Sequence, residues 1–164
     1  MDDPTQQQTP PFVRAWLLRE PGRLIGKGHP AGDFLQAYEW HVLAETPGFL
    51  RIRAHVPAHV KNPRGQMFGG FTPTYVDMVA LFTVHAGEDR KVTGFRTWLA
   101  TTNMRVDYFE PIVGPQFTIE SRLLKKRGRT NVIDTRFFDP GETLAVFALT
   151  TIREVALSRP LGDG

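Results

Sequence analysis

The stretch Asn62-Pro63-Arg64-Gly65-Gln66-Met67-Phe68-Gly69-Gly70-Phe71-Thr72-Pro73-Thr74-Tyr75-Val76-Asp77 decides how the rest of the chain is read. It sets a Gly-Gly pair before a helix start and one carboxylate inside a helix that is otherwise apolar. Glycine has no Cβ, so its backbone N–H can come close to a ligand. The first N–H groups of a helix lack intrahelical partners and carry partial positive charge. Together these features make a place for a polarised carbonyl oxygen with an acid or base nearby, the layout of acyl-group chemistry. Thr72 before Pro73 reads as an N-cap with Pro at the first helical position. Tyr75, Val76, Met78, Val79, Ala80, Leu81, Phe82 and Val84 carry the helix to about Ala86, with Gly87 as its stop. They cover every side of a helical wheel, so the helix is expected to be buried all round. Asp77 is the only charge between Gly70 and His85. It either caps backbone or pairs with an arginine, or it is a catalytic carboxylate of the kind found at functional sites.

Outward from this stretch, 164 residues suit a single domain with a real core. The net charge of +3 gives a mild bias toward anions and no argument for nucleic acid. There is no cysteine, which excludes disulfides, thiolate metal sites and a cysteine nucleophile. The N-terminus is polar and acidic with no apolar h-region, so no signal peptide is expected. The apolar helix is too short to span a membrane. The protein therefore reads as soluble and cytoplasmic. Residues 1–33 read as a partly disordered N-terminal extension, 34–157 as one domain and 158–164 as a flexible tail. Within the extension, residues 12–24 have mixed periodicity and 26–32 read as a loop.

The remainder is strand-rich. Tyr38 to Ala44 and Phe49 to Val56 form a predicted hairpin across Pro47-Gly48, and Leu50, Ile52, Ala54 and Val56 alternate with Arg51, Arg53 and His55. Four strands are predicted after the helix, over 96–109, 116–125, 130–138 and 143–154. Turn signals at Pro111-Ile112-Val113-Gly114, Lys125-Lys126-Arg127-Gly128 and Asp139-Pro140-Gly141-Glu142 separate them. Tight turns imply a mostly antiparallel sheet. The predicted class is α+β, a curved sheet wrapped around one long central helix.

These residues resemble the hotdog-fold acyl-CoA thioesterases, in particular their phenylacetate-pathway branch. The likeness covers roughly 34–155. It rests on Asn62 six positions before Phe68, on Gly69-Gly70 opening the helix, and on Asp77 nine positions after Phe68. A later strand, Thr101 to Pro111, ends in an aromatic and a proline before Gly114. The resemblance implies hydrolysis of an acyl-CoA thioester, with Asp77 as general base or nucleophile. It implies Gly70 N–H as the donor to the developing oxyanion, Asn62 orienting water or the carbonyl, and Thr101 helping to place the water. Met67, Phe68 and Gly69 would meet the substrate. Coenzyme A enters only as part of the substrate, and no other cofactor or metal is implied. Relatives build each site across a dimer interface, so a homodimer is expected, pairing again into a tetramer.

One departure stands out. The family usually has His immediately before Gly-Gly, where this chain has Phe68. That leaves a slower or differently specialised thioesterase, or an acyl-CoA-binding homologue with little turnover; the fold alone also allows a hotdog dehydratase or hydratase. Phe68 is also placed to favour an apolar or aromatic acyl group. Lys125, Lys126, Arg127 and Arg64 are either solvated cations or contacts for CoA phosphates. His55 and His59 are separated by Pro57 and are not expected to pair on a metal. His85 sits at the helix end, where the dipole favours it. Asp89-Arg90-Lys91 reads as a charged loop.

Overall fold

The computed structural model describes residues 19–88 and 97–156. The expectations for 1–11, 12–18, Asp89-Arg90-Lys91 and the tail from 158 fall outside the described residues. A short helix, α1 (Pro30–Phe34), and a 3₁₀ turn (Ala37–Glu39) lead into the hairpin β1 (His41–Thr46) and β2 (Phe49–His55). A 3₁₀ turn at Gly69–Phe71 runs straight into α2 (Thr72–Val84). Then come β3 (Thr97–Tyr108), β4 (Gln116–Arg127), β5 (Thr130–Phe138) and β6 (Leu144–Ala156). The six strands form one sheet in the order β1-β2-β4-β5-β6-β3, and every neighbouring pair is antiparallel. This is the hotdog arrangement, with α2 as the filling.

The sheet wraps α2 because alternate strand residues turn inward and the helix has no broad polar face. Leu50, Ile52, Ala54, Phe117, Ile119 and Phe137 are buried beneath it. Tyr75 stacks on Trp40 with ring centroids 5.1 Å apart, and its hydroxyl donates to His55 O at 2.9 Å. Ala80 and Val84, further along the helix, pack with Ile133 and Ile152. Each such aliphatic side chain contributes about 1.5–3 kcal/mol when fully buried.

Several boundaries differ from the sequence reading. Thr72 is not an N-cap. It is already helical (φ −52°, ψ −45°), and its hydroxyl reaches Met67 Sδ at 3.5 Å. The helix needs no side-chain cap there because the Gly69–Phe71 turn continues into it. Part of 26–32 is helical, since His29 caps α1 through Nδ1 and Pro30 starts it. The packed core reaches back to Leu24 and Ile25, both buried with the main cluster. Tyr38 and Glu39 lie in the 3₁₀ turn, and β1 begins only at His41. The strand through the basic run continues to Arg127, and the turn proper is Gly128-Arg129. Gly128 has φ +57°, the left-handed value that a two-residue hairpin turn asks of glycine at its first position. Among the described residues no helix is long and apolar enough to cross a membrane.

Burial holds the pKa of both His55 and His29 below its ordinary value, against the weaker opposing pull of Glu39 and Asp33. In the unfolded chain these imidazoles take up protons near pH 6.5. The folded chain resists until lower pH, so the unfolded state binds more protons in that window. Stability is therefore complete above about pH 6.5 and falls as the pH drops below it. The urea midpoint is expected to be lower at about pH 5.5 than at about pH 7.5, and His55→Gln should flatten that dependence. An equal slope in the variant would remove His55 as a cause.

Candidate active site

The approach to the Gly-Gly pair is a tied loop. Asn62 Oδ1 accepts from Arg64 N–H at 2.9 Å and from Gln66 N–H at 3.1 Å. Asn62 Nδ2 lies 3.4 Å from Gln66 Oε1. The structure thus engages the Asn62 side chain in shaping this turn, with Gly65 at φ +78° inside it. Beyond the turn, Met67 N–H donates to Ile112 O and Phe68 N–H to Val60 O, at 3.0 and 2.9 Å. Met67 faces the core, 7% exposed, rather than the outside where a substrate would meet it. Arg64 is exposed at the loop tip.

The turn itself leaves donors open. Phe71 N–H is taken by Phe68 O at 2.9 Å, and Thr72 N–H by Gly69 O. Among the described residues, the N–H groups of Gly69 and Gly70 have no hydrogen-bond partner. They point out of the N-terminal end of α2, where the helix dipole is positive. Phe68, 54% exposed, packs its ring against Gly70. A Cβ at Gly70 would stand 2.8 Å from Phe68 Cε1, so the ring occupies the room a side chain would need. A side chain at position 70 would have to displace that exposed ring. On the far side, Tyr108 from β3 donates its hydroxyl to Gly69 O at 2.9 Å.

Asp77 lies in the second turn of α2. Nine of the thirteen helix residues are buried, and those that are not (Pro73, Thr74, Asp77 and Leu81) recur at helical spacing. They form one stripe with Asp77 in its middle. Thr101 Oγ1 on β3 donates to Asp77 Oδ1 at 2.5 Å. Among the described residues no basic side chain pairs with Asp77. Among the described residues, a neutral hydroxyl orients the carboxylate.

Both hydroxyls come from one strand, and their phase is unusual. Thr101 and Tyr108 are seven positions apart, which in a regular strand sends them to opposite faces. The register of β3 on β6 slips between Thr101 and Asn103, so Thr101 pairs with Ile152 and Tyr108 with Val146. Those partners are six apart and both buried against the helix. The bulge at Thr102 thus turns both hydroxyls toward α2.

The remaining sequence candidates lie elsewhere. Lys126 Nζ pairs with Glu154 Oε1 at 2.7 Å, and Asn131 Nδ2 donates to the same oxygen at 3.2 Å. The hydrogen bond from Lys126 is the chief reason that the Glu154 carboxyl sits below its ordinary pKa, and His85 adds to it. That group stands by the C-terminal end of α2, some 20 Å along the helix from Gly70. Lys125 and Arg127 are exposed and carry no ion pair among the described residues. His55 meets Gln36 Oε1 at 2.9 Å, His59 meets Phe34 O at 2.6 Å, and His85 meets Glu88 at 2.9 Å. No cluster of three or more His, Cys, Asp or Glu among the described residues could hold a metal ion. Tyr108 is the residue that sequence reasoning missed. Its aromatic ring marked a strand end, and nothing local signalled that its hydroxyl would return to Gly69.

The family profile described as Thioesterase superfamily matches residues 64–146, just over half of the chain. The chain belongs to that superfamily. No curated protein matches it. Among solved structures it is similar to a thioesterase of Haemophilus influenzae, with 11% identity, a TM-score of 0.66, and coverage of 80% of this chain and 86% of that one. It is also similar to a mutant thioesterase of Pseudomonas aeruginosa, with 17% identity, a TM-score of 0.64, and coverage of 77% and 86%. A hypothetical thioesterase protein of Streptococcus pneumoniae, solved with coenzyme A, matches with 15% identity, a TM-score of 0.61, and coverage of 74% and 89%. At these identities the likeness is one of fold.

Deleting Thr102 is expected to restore strict alternation in β3 and to break one of its two contacts with α2. The measurement is the nuclear Overhauser effect between the Tyr108 ring and the Gly69 α-protons, together with that between Thr101 and Asp77. Survival of both in the deletion variant would show that the bulge does not set the phase.

Proposed function

We propose that the protein hydrolyses an acyl-CoA thioester to a free acid and coenzyme A. Asp77 acts as general base or nucleophile, and Gly70 N–H receives the carbonyl oxygen. The observation that carries this reading is a carboxylate aimed by Thr101 together with N–H groups at a helix start that have no partner among the described residues. In the general-base form, Asp77 takes a proton from water as its oxygen adds to the thioester carbon. In the nucleophilic form, the carboxylate adds first and water cleaves the resulting anhydride. Either way negative charge grows on the carbonyl oxygen, where Gly70 N–H stabilises it. The carbon–sulfur bond breaks as that adduct collapses, in the nucleophilic form before water enters, and the CoA sulfur leaves as thiolate and takes up the proton that the water gives. Membership of the superfamily supports the reaction class. The neighbour from Streptococcus pneumoniae solved with coenzyme A supports the choice of thiol. Arg64, Lys125 and Arg127 are the cations available to CoA phosphates, and the engagement of Lys126 with Glu154 makes it the weakest candidate.

Two protomers build each site in this reading. Gly70 and Asp77 are seven residues apart along one axis, about 10 Å at helical rise, and the Gly70 N–H points away from Asp77. One chain cannot bring both to one carbonyl carbon. A second chain can, by laying its α2 along the half-exposed stripe around Asp77. β3 lies at one edge of the sheet, which leaves it a side to offer to a second copy. Light scattering is expected to return twice the chain mass, or four times it where dimers pair. A monomer would sink the two-chain site.

A second reading, an acyl-CoA binder without turnover, draws on Phe68, which holds an apolar ring against Gly70 where relatives carry His. Acetyl-, hexanoyl-, palmitoyl- and phenylacetyl-CoA assayed with a thiol-detecting reagent separate the two. Thiol release supports the enzyme, and binding without release supports the binder. Asp77→Asn is expected to lower hydrolysis by about 10²-fold or more with the dimer intact. Wild-type rates in that variant would exclude Asp77 as the catalytic group. Gly70→Val should be inactive too, because its side chain collides with Phe68 and blocks the carbonyl. Mixing the two dead variants should restore about a quarter of wild-type activity, the statistical share for one intact site in exchanging twofold dimers. No recovery on mixing would place Asp77 and Gly70 in the same site of one chain.

A further inference from the structure

We propose that Tyr108 is a positioning residue for the oxyanion donor. The inference rests on the reading that Gly70 N–H receives the thioester oxygen. The Tyr108 hydroxyl bonds Gly69 O at 2.9 Å, and that carbonyl belongs to the same peptide unit as Gly70 N–H. A peptide is one conjugated group. A donor on its oxygen draws electron density from its nitrogen and makes the N–H at the other end a stronger donor. Tyr108 therefore acts on the substrate oxygen through the plane of one peptide, without touching the substrate.

The same bond also fixes that plane. Two consecutive glycines have more freedom to rotate than any other pair, and a misaimed N–H stabilises little. Thr72 N–H, from within the turn, also bonds Gly69 O. Tyr108 is the restraint brought from a separate element. Its ring lies beside Gly69, where an added Cβ would be 3.7 Å from Cε1, so ring and hydroxyl both meet the first glycine. Phe68 packs against the second. The two aromatics grip the Gly-Gly pair by ring contact and a carbonyl bond while its N–H groups stay open. Tyr108 is 52% exposed, so its bond to Gly69 adds little to stability and a role in holding the donor accounts for it better. β3 thus acts twice on the proposed chemistry, through Thr101 on the carboxylate and through Tyr108 on the amide.

Tyr108→Phe removes only the hydroxyl. With the best substrate of the four acyl-CoAs, kcat is expected to fall about tenfold, less than the 10²–10³ of losing an oxyanion donor outright. KM should stay within about twofold, since an interaction made mainly in the transition state shows in kcat. An unchanged kcat overturns the inference. So does a loss carried by KM alone, or one matched by loss of the dimer or of cooperative unfolding. A spectroscopic arm uses the same acyl-CoA with a ¹³C carbonyl bound to Asp77→Asn, which holds substrate without turning it over. The carbonyl stretch should move to lower frequency on binding, and by less in Asp77→Asn/Tyr108→Phe. Equal shifts in the two overturn Tyr108 alone. No shift in Asp77→Asn overturns the Gly70 reading, and this inference with it.

Discussion

Nine of the thirteen residues of α2 are buried, and the helix has almost no polar face to give to water. Such a helix is stable only if something surrounds it, and a flat sheet would cover one side. Six antiparallel strands curving round α2 meet that demand. The core that forms between them holds the site elements still. What the sheet leaves uncovered is a narrow stripe, and the single charge of the helix lies on it. Burial of an unpaired carboxylate is costly, so Asp77 can sit in α2 only where the wrap is open. The opening that makes Asp77 tolerable also makes it accessible.

The second constraint is one of periodicity. A helix repeats every 3.6 residues and a strand every two, so a strand lying on a helix does not meet it regularly. The bulge at Thr102 resets the phase of β3 between its two contacts with α2. Upstream, Thr101 meets the carboxylate. Downstream, Tyr108 meets the Gly-Gly turn. A local defect in the ladder thus lets one strand meet both the Gly-Gly turn and Asp77, which helical rise keeps apart. The edge position of β3 suits this role, since a bulge disturbs an edge strand least.

The order of two strands, one helix and four strands was legible because alternating stretches give way to one long apolar run opened at Thr72-Pro73 and stopped at Gly87, with Gly or Pro at the junctions. The site was legible in part. Asp77 stood out as a lone charge in an apolar helix, and Gly69-Gly70 as a pair with no other obvious purpose. Other local features were not legible, for physical reasons. Thr72 looked like a cap, but the turn before it is already helical, so no cap is needed. Met67 was expected to meet the substrate, and the loop, pinned at Val60 and Ile112, turns its side chain inward. Asn62 looked free to reach a ligand, but its amide closes its own turn. The basic run looked like a hairpin tip, yet pairing with β5 carries the strand through it.

Alone, the amino-acid order determined what is local: the central helix and the six strands to within a few residues, and which helix residue is charged. Those properties follow from side-chain pattern and backbone permission within a few positions. Only the tertiary structure decided that Thr101 and Tyr108 share a face and that Tyr108 returns to Gly69. It also decided that Lys126 belongs to Glu154 and that Asp77 lies on the open stripe. Each of these depends on register between strands distant in sequence, and one bulged residue reverses every side chain beyond it.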